Sequence, residues 1–176
     1  LGSADVLHIS PSHHFPTGIV TPVSRRRELL DWANRGEKWI IEDDYDSEFR
    51  FDAHPVPAMQ SLDDGGRVIY MNSFSKSLAP SIRISYMVLP AGLMAAFQQK
   101  LGFYSCTVTS FEQYTLARFL SRGFFEKHIN RMRKFYKNRR NAVVSLLEKC
   151  SFSHKLTIQE QDAGLHFLLN VDTSLS

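Results

Sequence analysis

Four short apolar runs, each bounded by polar or turn-forming residues, divide the first half of the chain. They cover residues 6–10, 39–43, 68–72 and 84–89. Runs of this length and flanking composition are typical of β-strands. Between the first two runs, an apolar stripe recurs at helical spacing, formed by Leu29, Leu30 and Ala33. We therefore predict a strand–helix–strand unit with parallel strands.

The ends of that helix are marked by residues suited to them. Thr21 is a candidate N-cap, Pro22 suits the first turn, and Gly36 suits the end. Only about eleven residues separate the third run from the fourth, and Pro80 interrupts them. A parallel crossover needs roughly a dozen residues or more. We therefore predict that these two strands are antiparallel neighbours in a mixed sheet.

The second half is predicted to be mainly helical. Helical patterns run from 90 to 101, from 110 to 122 and, after Gly123, to about Cys150. Two strands, 155–159 and 165–171, follow around the turn at 161–164. The change of composition at Gly123 predicts two domains, residues 1–123 and 124–176. Because the chain begins almost in one strand and stops just after another, we interpret it as a fragment.

Basic residues concentrate in the long helix. Eight of the 21 Lys and Arg residues fall between positions 122 and 140, where Glu126 is the one acid. Binding of nucleic acid is one interpretation of such a basic segment. Its apolar residues recur at helical spacing and predict one buried stripe: Ile129, Met132, Phe135, Tyr136, Val143, Leu146 and Leu147. We interpret the bases as the solvated opposite face.

Composition excludes several classes of protein. With 43% hydrophobic and 22% charged residues, the chain is neither disordered nor fibrous. It contains no apolar run near the roughly 20 residues of a membrane span, and its start lacks a signal peptide. Cys106 and Cys150 have no Cys-x-x-Cys spacing and are predicted to be buried, unpaired residues. These features predict a cytoplasmic protein without a membrane partner.

The densest polar segment, residues 42–50, follows the second strand. Ligands of α/β sheets bind beyond the carboxyl ends of the strands. In extended chain, Asp43 and Tyr45 point to one side and Asp44 to the other. The alternative is an acidic loop that only contacts solvent or caps a helix.

A lysine among hydroxyl groups follows the third strand, in the segment 73–83. Ser73, Ser75 and Arg83 could form a phosphate cradle, or Lys76 could be a Schiff-base lysine. The spacing does not match a nucleotide P-loop. A surface lysine in a serine-rich turn is the simpler alternative.

Together the two segments supply what pyridoxal 5'-phosphate (PLP) requires. That cofactor needs a lysine for its aldehyde, an acid for its ring nitrogen, a hydroxyl for its phenolic oxygen and donors for its phosphate. These groups are present as Lys76, Asp43, Tyr45, Ser73, Ser75 and Arg83. An ionised Asp43 would keep the ring nitrogen protonated.

Three segments in this order, 10–18, 42–49 and 73–83, resemble the fold-type I aminotransferases. They resemble more closely the aminotransferase-like domain of MocR-type regulators in the GntR family. The resemblance implies that Lys76 is the catalytic, internal-aldimine lysine and that Asp43 pairs with the pyridine nitrogen. Tyr45 then binds the phenolic oxygen, and Arg83 binds the phosphate with Ser73 and Ser75. Phe15 stands where aminotransferases commonly have Asn, which fits the regulators better, and Ser81 replaces a common Gly.

The resemblance also implies the fold and the function. The fold is α/β: the later part of a PLP-dependent large domain with a mixed sheet, then the start of a small α+β domain. The implied function is sensing of an amino acid or amine effector by a homodimeric regulator, whose winged-helix DNA reader lies outside this chain. The alternatives are a class I/II aminotransferase, with Lys76 as proton-transfer base, and a protein-interaction fragment without cofactor. Since the family's upstream phosphate loop, stacking aromatic and downstream substrate arginine are absent here, we expect weak PLP binding and no transamination by this chain alone.

Other candidate sites are weaker. His8, His13 and His14 lack a Cys or carboxylate at zinc-site spacing, so we predict no metal site. No Gly-x-Ser-x-Gly elbow indicates a hydrolase. His166 is either a lining residue of the cofactor cleft or a structural histidine.

Overall fold

Four strands form one sheet in the order in which they occur along the chain. The computed structural model describes residues 3–51 and 56–173. The strands are β1 (Val6–Ile9), β2 (Trp39–Asp43), β3 (Val68–Ser73) and β4 (Ser85–Val88). β1 is parallel to β2, and β2 is parallel to β3, whereas β4 is antiparallel to β3. The predicted mixed sheet is therefore confirmed.

The core lies between this sheet and one crossover helix, α1 (Val23–Arg35). Leu29, Leu30 and Ala33 pack against Ile40 and Val68 of the sheet, as their spacing predicted. Gly36 follows the last helical residue as expected.

The predicted start of α1 is wrong in one detail. Pro22, not Thr21, occupies the N-cap position, and no side chain caps the helix there. The carbonyl of Thr21 instead accepts a hydrogen bond from Nε of Arg26 at 2.9 Å. The side chain that organises this helix start is therefore an arginine inside the helix.

Short and long helices follow β3. α2 (Phe74–Ser77) is a single turn, and α3 (Ala91–Leu101), α4 (Ser110–Ser121) and α5 (Phe124–Lys149) follow in order. Thr109 and Glu112 form a capping box at the start of α4. Gly123, with φ of +68°, separates α4 from α5 in the left-handed region that favours glycine. The division into domains 1–123 and 124–176 stays a prediction.

A two-stranded antiparallel sheet ends the described chain. It consists of β5 (Leu156–Gln159) and β6 (Leu168–Val171). Single 3-10 turns lie at Gln60–Leu62 and Ser153–Lys155. The turn before β6 pairs with the segment after β2, because Arg50 and Ala163 form an isolated antiparallel bridge.

Three predictions about burial are wrong, wholly or in part. Cys106 is exposed and Cys150 only partly buried, so neither is a core residue. On α5 only Ile129 is buried, while Phe135, Val143 and Leu146 are exposed because no described element covers them. The bases of α5 are also not all solvated, since Arg133 donates to the carbonyl of Glu48 at 2.8 Å. Among the described residues, no helix is both long and apolar enough to cross a membrane.

Candidate functional site

The carboxyl ends of three parallel strands meet at one edge of the main sheet. The loop 10–22 follows β1, the acidic segment 43–51 follows β2, and the lysine segment 73–83 follows β3. In open α/β sheets this edge is the usual place for a ligand. Both segments that sequence analysis singled out therefore lie at the edge where a ligand is expected.

Asp43 is the last residue of β2 and remains partly accessible. Its carboxylate lies 3.7 Å from Nε2 of His8 on the neighbouring strand. Burial raises the pKa of Asp43 above its ordinary value, and the charge and hydrogen bond of His8 oppose that shift. A cationic partner at this carboxylate would favour its ionised form. Asp43 is thus suited to pair with a protonated ring nitrogen.

Tyr45 lies two residues further along and is held by the loop after β1. Its hydroxyl donates a hydrogen bond to the carbonyl of His13 at 2.9 Å. Burial, together with the negative charges of Asp46 and Asp43, raises the pKa of Tyr45 to about 12. The phenol therefore stays protonated at neutral pH, and it remains a hydrogen-bond donor.

Asp44 points into the protein, as the alternation along the strand predicted. It is buried and accepts hydrogen bonds from the hydroxyl groups of Ser47 at 2.7 Å and Tyr70 at 2.8 Å. Burial and the charge of Asp44 raise the pKa of Tyr70 well above its ordinary value. Asn72 in turn donates to the Tyr70 hydroxyl at 3.1 Å. This network fixes the backbone that carries Asp43 and Tyr45.

The lysine segment is more open. Ser73 ends β3, and Lys76 lies in α2 with its side chain exposed. The Ser75 hydroxyl donates to the carbonyl of Ile82 at 3.0 Å and accepts from Nη1 of Arg83 at 3.2 Å. Ser75 and Arg83, eight residues apart in sequence, are thus brought together as a hydroxyl–guanidinium pair.

His166 lies within the electrostatic reach of this lysine. Burial is the largest cause that lowers the pKa of His166, and the charges of His13 and Lys76 lower it further. Its ring stacks on that of His13 with centroids 3.9 Å apart. Both roles predicted for His166, a lining residue of the cofactor cleft and a structural histidine, stay predictions.

A buried ion pair below this edge was missed by sequence reasoning. Arg26 and Glu42 are both fully buried, with Nη1 and Oε1 3.8 Å apart. Arg26 donates to the carbonyls of Thr21, Pro57 and Pro11, and Glu42 accepts from the amides of Met59 and Gln60. Burial raises the pKa of Glu42 and lowers that of Arg26. The signal that could have found the pair is Glu42 itself, which shares a strand face with the core residue Ile40.

A second missed feature joins residues far apart in sequence. Nδ1 of His13 and Oδ2 of Asp46 lie 2.8 Å apart, and the amide of Leu165 donates to the same oxygen at 3.3 Å. Spacing along the sequence associates His13 only with the neighbouring histidines His8 and His14. Folding supplies the carboxylate from the segment after β2 and a second imidazole, His166, from the turn before β6.

The residues at this edge fit PLP by their chemistry. An accessible amine, a partly accessible carboxylate and a hydroxyl–guanidinium pair are the donor set that the aldehyde, the ring nitrogen and the phosphate of this cofactor require. The hydroxyl of Tyr45, whose one proton is donated to the carbonyl of His13 here, would turn from that carbonyl to donate to the phenolic oxygen. Lys76, Asp43, Tyr45, Ser75 and Arg83 are therefore the residues that would hold the cofactor.

The mixed α/β fold is that of the PLP-dependent fold-type I aminotransferases. The crystal structure of kynurenine aminotransferase from Pyrococcus horikoshii superposes with a TM-score of 0.81 and 32% identity, over 98% of this chain and 42% of that one. The family model described as aminotransferase class I and II matches residues 4–174. The chain belongs to that family.

Relatives with similar sequences include bacterial regulators. The uncharacterized HTH-type transcriptional regulator YdeL of Bacillus subtilis is 44% identical over 95% of this chain and 36% of its own length. The probable rhizopine catabolism regulatory protein MocR of Rhizobium meliloti is 39% identical over 98% of this chain and 35% of its own. The predicted resemblance to MocR-type regulators is confirmed. The chain spans about a third of the length of these relatives.

Proposed function

We propose that this chain is part of the PLP-binding, effector-sensing domain of a cytoplasmic bacterial transcriptional regulator of the MocR type. Lys76 is the residue of covalent attachment, and Asp43, Tyr45, Ser73, Ser75 and Arg83 bind the rest of the cofactor. The effector is an amino acid or another amine. The whole protein is a homodimer that contacts DNA through a winged-helix domain outside this chain.

The observation that carries the proposal is the position of Lys76 and Asp43. They follow β3 and β2, which are neighbouring parallel strands, so the amine and the carboxylate reach the same edge of the sheet. A lysine and an acid brought to one edge by separate strands satisfy the two ends of a pyridoxal ring, whereas a surface lysine in a serine-rich turn needs no such partner.

Each residue has a definite task when the cofactor is bound. PLP supplies an aldehyde that reacts with amines and a ring that withdraws electrons when its nitrogen is protonated. Lys76 would supply the amine for that aldehyde, and an effector amine would compete with it for the same position. Asp43, backed by His8, holds the proton on the ring nitrogen. Arg83 would bind the phosphate as a cation, and Ser75 would assist it after its hydroxyl turns away from the carbonyl of Ile82.

Two features favour a regulator over an enzyme. Regulators with 39–44% identity match nearly the whole chain, and Phe15 stands at a position where aminotransferases commonly carry an amide side chain. Phe15 is 70% exposed and packs edge-on against His166, so it offers no hydrogen bond to the cofactor. A class I/II aminotransferase is the second candidate, favoured by the match to a kynurenine aminotransferase.

The test uses the full-length protein, because this chain is about a third of its relatives' length. PLP is added, the excess is removed, and a panel of amino acids and amines is titrated while the absorbance of the bound cofactor is followed. For a regulator, we expect the added amine to displace Lys76 from the cofactor and to change its absorbance, while the cofactor remains PLP. The electrophoretic mobility of a DNA fragment from its own promoter should change as well.

The outcomes separate the two candidates. Stoichiometric conversion of PLP to pyridoxamine phosphate, with release of the matching oxo acid, would overturn the regulator and support the aminotransferase. Lys76→Ala is the matched negative variant, and Lys100→Ala on α3 is the control lysine. If Lys76→Ala shows the same spectral change as the wild type, the assignment of Lys76 is wrong.

A further inference from the structure

Three side chains of metal-ligand type meet beside the candidate cofactor edge. They are His13 from the loop after β1, Asp46 from the segment after β2 and His166 from the turn before β6. One donor atom of each lies within 4.8 Å of the other two. His13 is 1% exposed and Asp46 2%. Folding therefore brings two imidazoles and a carboxylate from three distant segments into a mostly buried cluster.

The cluster is held in place by its surroundings. The amide of Leu165 donates to the same Asp46 oxygen that faces Nδ1 of His13. Gly164, with φ of +68°, lies directly against the His13 ring, and a Cβ there would come within 1.7 Å of Nδ1. Only glycine allows the turn to approach so closely, so the turn that carries His166 already lies against His13.

Two nitrogens of the cluster have no hydrogen-bond partner among the described residues. They are Nε2 of His13 and Nε2 of His166, and both are buried. Buried polar atoms are nearly always paired, so an unpaired one indicates a missing partner such as an ion or a water molecule. Nδ1 of His13 and Oδ2 of Asp46, 2.8 Å apart, are at an ordinary hydrogen-bond distance and share one proton.

We propose that His13, Asp46 and His166 bind one divalent transition-metal ion of the zinc, cobalt or nickel class. Two imidazoles and one carboxylate are typical ligands for these ions. Calcium and magnesium, in contrast, are bound by oxygen atoms. With metal–ligand bonds of about 2.0–2.2 Å, donor atoms around one tetrahedral ion stand roughly 3.3–3.6 Å apart. The His13–Asp46 pair must therefore open from 2.8 Å, and His166, the partly buried member of the cluster, must move toward the other two. The ion replaces the proton between His13 and Asp46 and leaves a coordination position for water.

The ion would act as a cross-link between the two predicted domains. His13 and Asp46 belong to residues 1–123, and His166 belongs to residues 124–176. Hydrogen bonds already cross this seam, among them the Gly164 amide to the carbonyl of Phe49 at 2.7 Å, the Phe51 amide to the carbonyl of Asp162 at 3.1 Å and Arg133 to the carbonyl of Glu48 at 2.8 Å. A metal bond would fix the turn 162–166 beside the cofactor edge.

The test is metal binding by the untagged full-length protein. After removal of metals with a chelator, Co²⁺ is titrated and its visible absorption followed, and the zinc content of protein from cells is measured by mass spectrometry. His166→Phe keeps an aromatic ring against His13 and Phe15 but removes the ligand nitrogens, and Asp46→Asn keeps the size but removes the charge. His154→Phe, at an exposed histidine, is the matched control.

We expect one ion per chain, with affinity at least about tenfold weaker in His166→Phe and in Asp46→Asn and unchanged in His154→Phe. Circular dichroism is used to check that each variant is folded. The absence of a stoichiometric ion in the wild type would overturn the proposal and leave a shared proton between His13 and Asp46. Equal affinity in His166→Phe would overturn it as well.

Discussion

The two strand ends that supply the candidate cofactor site are built in opposite ways. After β2, Asp44, Asp46 and Phe49 are at most 5% exposed, and hydrogen bonds tie the segment to other parts of the chain. After β3, Lys76 and Arg83 are exposed. The Ser75 hydroxyl in α2 makes hydrogen bonds with the carbonyl of Ile82 and the guanidinium of Arg83.

Because of this difference, we expect the side chains after β2 to matter for both folding and binding, and the exposed side chains after β3 to matter for binding. The acidic segment is fixed by the same contacts that stabilise the fold, so it presents Asp43 and Tyr45 in a defined position. Because the side chains of Lys76 and Arg83 are exposed, they contribute little to stability and keep the freedom that a residue needs to form and break a bond with ligands. Substitutions after β2 should therefore change stability as well as binding, whereas substitutions of Lys76 and Arg83 should change binding alone.

The largest effect on stability is expected from the ion pair under the β2 end. Glu42→Ala leaves Arg26 as a buried, unpaired charge, which should lower the free energy of unfolding by about 3–5 kcal/mol. The matched control is Glu28→Ala, which removes an exposed ion pair with Arg25 on the same helix and should cost less than about 1 kcal/mol. Urea unfolding measures both. Similar losses for the two variants would show that the buried pair does not anchor this region.

The largest effect on cofactor affinity, short of removing Lys76, is expected at Asp43. Asp43→Asn removes the charge that pairs with the ring nitrogen, which should cost about 1.5–3 kcal/mol of binding free energy, or roughly 10- to 100-fold in Kd. Asp31→Asn on the exposed face of α1 is the control. Fluorescence titration with PLP measures the affinity, and an unchanged Kd in Asp43→Asn would contradict the assignment.

A smaller loss is expected at the phosphate. Because Arg83 is exposed and contributes one charge-assisted contact, Arg83→Ala should weaken PLP about tenfold. Binding of pyridoxal, which lacks the phosphate, should not change. The melting temperature should stay that of the wild type, and Arg118→Ala on α4 is the control for loss of positive charge. An equal loss for pyridoxal and PLP would mean that Arg83 does not contact the phosphate.

The smallest of these effects is expected at Tyr45. Tyr45→Phe removes one neutral hydrogen-bond donor, worth about 0.5–1.5 kcal/mol, so PLP affinity should fall by a few-fold. The same change releases the carbonyl of His13, and stability should therefore fall slightly as well. A change in affinity with no change in melting temperature would indicate that the contact with His13 is unimportant for the fold.

The fold follows from patterns that act over short distances. The spacing of Leu29, Leu30 and Ala33 and the short connection before β4 were enough to predict a helix on a mixed sheet. The alternation along β2 also predicted that Asp44 points away from Asp43.

Contacts between distant segments could not be predicted in this way. Three consecutive arginines on α1 do not indicate that only Arg26 is buried, because that depends on the carbonyls of Pro11 and Pro57. The cluster of His13, Asp46 and His166 depends on a turn that packs against the loop after β1. The stripe of α5 was predicted as buried because periodicity gives the direction of a face but not what covers it.

The central claim is that PLP attaches at Lys76, and peptide mapping tests it most directly. The full-length protein is incubated with PLP, reduced with borohydride and digested, and the modified lysine is found by mass spectrometry. The account predicts that the phosphopyridoxyl group is found on Lys76, that Lys100→Ala changes nothing, and that Lys76→Ala carries no stoichiometric label. A label spread over other lysines, or one that persists at full occupancy in Lys76→Ala, would contradict it.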